Sequence, residues 1–238
     1  MWDEEFFLDH SAHVRHTEIM SQLPKWAPYA VPFFLFLGIT TLESSMPGHY
    51  PLIYTLKVLV VGISLFVLRP RLGDGRVSLR NGAIAAVVGL ALTAIWVALD
   101  RITPHIALLG HRTAYNPFHE IGNAAVRDGF MAVRLIGLAL LAPFIEEAFY
   151  RAFLLRFIDK PDDWETVPNG RFTTTSLAAN VAIFALSHPE WLSAAVFGAA
   201  MCFLLKYTGD ARACVIAHAT TNLALGAYVL TTGSWQYW

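Results

Sequence analysis

Seven apolar runs, separated by short turn-forming or charged stretches, dominate the chain from Trp26 onward. A helix needs about 20 mostly apolar residues to cross a bilayer, and lipid tolerates only backbones that satisfy their own hydrogen bonds. The runs are Trp26–Thr41, Leu52–Leu68, Gly82–Leu99, Gly129 to Ile158, a segment from the cap-like cluster Thr173–Ser176 to "SHPEW", Trp191–Tyr207, and Ala213 to Leu230. They predict an all-α fold, a polytopic transmembrane helical bundle of about seven spans, within a range of six to eight. Composition agrees. Only 15% of the 238 residues are charged, against about 25% in soluble domains, and mean hydropathy is +0.48.

Residues 1–25 read as an amphipathic or flexible tail, and residues 26–238 as a single membrane-embedded domain. The tail is mixed in charge, without the basic and apolar regions of a cleavable signal. Its His10, His13 and His16 share a helical face, which reads as a solvated surface because no matching ligand shell accompanies it. A net charge of −1 gives no basis for binding nucleic acid. Cys202 and Cys214 lie inside apolar runs without metal-ligand spacing and read as packing residues. The arginine-rich loop "RPRLGDGRVSLR" predicts a cytoplasmic side, with Lys206 and Arg212 on that same side. The stretch Asp100–Asp128 is polar and amphipathic, with room for a short interfacial helix, and the terminal "SWQYW" has the composition of a membrane-interface anchor.

Charges inside the runs are costly, about 2.5–3.5 kcal/mol for an ionised acid at a helix centre, so "PFIEEAFYRAFL" requires an explanation. Glu147 and Arg151 are four apart with the acid first, the favourable order for a helical ion pair. Glu146 points about 100° away. The pairing therefore leaves Glu146 available for chemistry, although a helix end at the membrane surface would also accommodate all three charges. A second polar cluster is "NVAIFALSHPEW", where Asn180, Phe184 and His188 form a stripe. A third is "CVIAHATTNLALG", with His218 and Asn222 on one face. Taken singly, these fit hydrogen-bond glue between helices. Together they supply a carboxylate and a histidine to deprotonate water, and two donors for an oxyanion. The chain has no nucleophile-elbow serine and no HExxH.

The ordered set Glu146-Glu147-Ala-Phe-Tyr-Arg151, Phe184-Ala-Leu-Ser-His188 and His218-Ala-Thr-Thr-Asn222 resembles the signature of the CPBP family, the CAAX proteases and bacteriocin-processing enzymes also called Abi. The match covers residues 130–230. The "HPEW", "HATTNLALG" and "TTGSWQYW" segments look most like the CAAX prenyl protease-related subgroup of bacterial exosortase/PEP-CTERM systems. The resemblance implies an intramembrane glutamate-type endopeptidase. Glu146 and His188 would activate water, His218 and Asn222 would hold the oxyanion, and Glu147 and Arg151 would support them. It implies no cofactor, with a zinc site of Glu146, His188 and His218 as the alternative. The implied partners are membrane lipid and the C-terminal segment of a membrane-associated protein or peptide. The implied location is the bacterial cytoplasmic (inner) membrane. A non-catalytic membrane scaffold is the competing class. One condition follows from position: Glu146 and His188 meet only if the fourth helix continues past Glu146 toward Ile158.

Overall fold

The computed structural model describes residues 22–74, 76–106 and 114–237. His10, His13 and His16 lie outside them. The described residues contain helices and no strand. In chain order the helices are α1 (Ala27–Ser45), α2 (Tyr50–Leu68), α3 (Leu79–Asp100), the single turn α4 (Pro117–Glu120), α5 (Ala124–Asp159), α6 (Thr174–Leu186), α7 (Trp191–Thr208) and α8 (Ala211–Thr232). Three 3₁₀ turns accompany them. The protein is a polytopic helical bundle.

All seven expected spans form helices. Five of them, ending with α2, α3, α5, α7 and α8, are long and apolar enough to cross a membrane. The other two differ for physical reasons. Helix α1 opens with prolines and closes on the polar "TTLESS", which lowers its hydropathy. Helix α6 has 13 residues, roughly 20 Å at 1.5 Å per residue, short of a hydrocarbon core of about 30 Å. Thr173 starts α6 with a reciprocal capping box to Ser176, which satisfies two otherwise unpaired backbone donors.

Helix α5 does continue past Glu146, and it widens as it goes. Gly137–Leu141 and Glu147–Leu154 adopt π-helical bonding on either side of Pro143. Proline has no N–H to give the carbonyl four residues back, and single π turns cluster at functional sites. Side chains from neighbours take up carbonyls along this stretch: Tyr54 donates to the Arg134 carbonyl (3.3 Å) and Asn222 to that of Leu138 (2.8 Å). Gly137 leaves the space that the Tyr54 hydroxyl occupies, since a Cβ there would sit 2.3 Å from it.

Small residues and hydroxyls bring α3 and α8 together, as expected where lipid removes the hydrophobic drive between helices. Thr221 donates to the Gly89 carbonyl (2.9 Å) and Thr93 to that of Thr221 (3.3 Å). Helices α1 and α2 are joined by a buried ion pair, Lys57 Nζ to Glu43 Oε2 at 2.6 Å. At one end of the bundle the segment before α3 meets the start of α8, where Arg212 donates to the Asp74 carbonyl (2.6 Å), and Arg80 of α3 donates to Tyr207 of α7 (3.2 Å). The basic segments that the sequence placed on one side are thus together. Of the C-terminal aromatics, Tyr237 turns inward. It is buried and donates to Asp100 (2.6 Å), which ties this residue to α3.

Gly89 tests this packing. A Cβ there would lie 2.3 Å from the Ala217 carbonyl oxygen, whereas one at Gly38 meets nothing within 4 Å. Gly89→Val should lower thermal stability of the purified protein by about 1–3 kcal/mol. Gly38→Ala should leave the unfolding temperature unchanged, and equal melting of both variants with wild type would contradict the α3–α8 contact.

Candidate active site

The site is assembled from three helices whose functional residues reach similar depth. Measured from the basic end, Glu146 lies about 13 residues into α5, His188 about 14 residues past the start of α6, and Asn222 about 11 into α8, each roughly 17–21 Å along a helix. The shortness of α6 is what stops His188 inside the bundle instead of carrying it to the far surface. Glu146, His188, His218 and Asn222 all line one cavity of about 120 Å³ with Trp96, Leu138 and Phe197. A water occupies about 30 Å³ in the liquid, so the space suits a few waters and one reacting group.

Glu147 organises the cluster. Its Oε2 lies 3.2 Å from Arg151 Nε, and both side chains have no solvent exposure. Arg151 also donates to the Gly198 carbonyl (3.4 Å) and lies 4.7 Å over the Phe184 ring. The expected Glu147–Arg151 division is therefore present. What the spacing did not reveal is the second oxygen: Glu147 Oε1 is 2.9 Å from His218 Nδ1. A carboxylate offers two acceptors and one arginine contact uses one of them, so an unused oxygen was the available clue. Nothing in the sequence says which helix supplies its partner.

Glu146 has no comparable tie. Its Oε2 is buried and makes no hydrogen bond within the protein, a costly state unless water or a ligand completes it. His188 Nδ1 contacts the Phe184 carbonyl (2.8 Å) and Ser187 Oγ (3.0 Å). Asn222 spends one of its two amide protons on Leu138 and retains the other. Phe184 packs against His188 with ring centres 4.6 Å apart, Trp96 meets His188 edge-on at 5.9 Å, and Phe197 meets His218 at 4.8 Å. Both imidazoles are thus clamped by aromatic rings. Phe184 touches both His188 and Arg151, which gives a physical reason for an aromatic four residues before the histidine.

The zinc set read from the sequence, Glu146, His188 and His218, finds no support in the geometry. Among the described residues no group of three His, Cys, Asp or Glu side chains is arranged to hold a metal ion.

The family model of the type II CAAX prenyl endopeptidases, Rce1-like, matches residues 128–224. Over that span the chain resembles this family. The matched region contains Glu146, Glu147, Arg151, His188, His218 and Asn222. The family it resembles is one of CAAX prenyl endopeptidases, which are hydrolases. No curated protein and no solved structure matches the chain.

Removing one member of a buried ion pair strands the other, at about 3–5 kcal/mol. Arg151→Ala should therefore lower thermal stability as well as activity. Unfolding at the wild-type temperature would contradict a buried Glu147 that depends on Arg151.

Proposed function

We propose that the protein is an endopeptidase of the bacterial cytoplasmic membrane that hydrolyses a peptide bond near the C-terminus of a membrane-associated protein or peptide, using water activated by Glu146 and His188. The observation that carries this reading is the convergence of one untied carboxylate, two clamped histidines and an asparagine on a single small cavity. Glu146 Oε2 is buried without a hydrogen bond in the protein, as an oxygen that holds the attacking water would be.

In this mechanism a water sits between Glu146 and His188. Glu146 takes its proton as the oxygen attacks the scissile carbonyl carbon, and the carbonyl becomes an oxyanion. Asn222 offers its remaining amide proton, and His218 offers Nε2–H. Because Glu147 accepts from His218 Nδ1, the ring must carry both protons to donate from Nε2. Collapse of the tetrahedral intermediate breaks the C–N bond, and the proton held by Glu146 passes to the leaving amine. No covalent enzyme intermediate forms.

Removing a single oxyanion donor costs about 10²–10³ in kcat in hydrolases that depend on one. Asn222→Ala should lose activity on that scale with little change in KM. The substrate is to be found by comparing C-terminal peptides of membrane-associated proteins from cells carrying wild-type protein or Glu146→Ala. Peptides that appear only with wild type identify the cleavage site. Identical peptide sets would overturn the endopeptidase reading.

A further inference from the structure

His188 can act as an acceptor toward water only in one neutral form, with Nδ1 protonated and Nε2 bare. A neutral imidazole partitions between two tautomers unless its hydrogen bonds select one. The structure surrounds Nδ1 with acceptors. Nδ1 lies 2.8 Å from the Phe184 carbonyl and 3.0 Å from Ser187 Oγ. The carbonyl can only accept, so Nδ1 must be the donor. Ser187 is consistent with this, because its own hydroxyl proton goes to the same Phe184 carbonyl at 2.8 Å. That orientation turns a lone pair of Oγ toward Nδ1. Behind Ser187, the Tyr150 hydroxyl is 3.3 Å from Oγ.

Tyr150 is itself fixed. It is 1% exposed, its ring meets Phe184 edge-on at 5.0 Å, and its backbone carbonyl accepts from Asn180 Nδ2 at 2.7 Å. It belongs to the π-helical segment of α5 that also carries Glu147 and Arg151. A chain of hydroxyls therefore links the helix bearing the two glutamates to the ring nitrogen of His188. Ser187 holds this place although it stands beyond the end of α6, where a short loop side chain would otherwise be free to rotate.

We propose that Ser187 is a positioning residue that reinforces, beside the Phe184 carbonyl, the Nδ1–H tautomer of His188, and that the Tyr150 hydroxyl holds Ser187 in the orientation required. The proposal rests on the endopeptidase reading for its effect on rate, and on the hydrogen-bond geometry alone for its effect on the ring.

The test uses the full-length protein, ¹⁵N-labelled at histidine and held in detergent micelles, with the His188 signals assigned by their loss in His188→Asn. Wild type should show His188 as one tautomer, protonated at Nδ1. With the Phe184 carbonyl still in place, Ser187→Ala should show a measurable minor population of the second tautomer, Tyr150→Phe a smaller one, and Ser187→Thr, which keeps the hydroxyl, the wild-type pattern. On a peptide that wild type cleaves, Ser187→Ala should lower kcat by about 10-fold or more with KM unchanged, a misplaced catalytic group being the cause, and Ser187→Thr should restore it. An unchanged single tautomer in Ser187→Ala would overturn the proposal, as would equal loss of kcat in the alanine and threonine variants. Full activity in Glu146→Gln would instead remove the endopeptidase reading, and the tautomer measurement would still decide the role of Ser187.

Discussion

The carboxylate of Glu147 is the contact on which the rest of the site depends. One oxygen meets Arg151 one helical turn later, and the other meets His218 on a different helix. A buried acid in a bilayer-sized bundle is tolerable only when its charge is matched, and here the match also fixes a histidine across the cavity. Because Glu147 is consumed in this way, the neighbouring Glu146 faces the cavity without a competing partner. The adjacency of two acids looks redundant along the chain and is a division of work in space.

Depth is the second constraint. A span that crossed the membrane fully between the Thr173 cap and Pro189 would carry His188 past Glu146. Helix α6 stops after 13 residues, and α5 continues to Asp159, so both reach the same level from the same end. The widening of α5 around Pro143 works with this arrangement. The carbonyls it turns outward are met by Tyr54 and Asn222, which lets a helix of 36 residues bend its bonding without stranding polar atoms in an apolar medium.

Much of this was legible in the chain because the bilayer imposes long, simple periodicities. Apolar runs marked the helices, and the i,i+4 rule joined Glu147 to Arg151 and placed His218 with Asn222 on one face. Three features were not legible. The contact of Glu147 with His218 joins residues 71 positions apart, and no local spacing encodes which helices touch. The inward fold of Tyr237 onto Asp100 was hidden because an aromatic-rich end looks the same whether it meets lipid or protein. The hydroxyls of Ser187 and Tyr150 lay beside the recognised motifs, and their value lies in distances that only the packed helices define.

The most direct measurement compares Glu146→Gln and Glu147→Gln, purified side by side, for thermal unfolding and for cleavage of a wild-type substrate peptide. The account predicts that Glu146→Gln unfolds at the wild-type temperature and cleaves nothing, while Glu147→Gln unfolds at a clearly lower one because Arg151 and His218 lose their acceptor. A stable, inactive Glu147→Gln beside an active Glu146→Gln would contradict it.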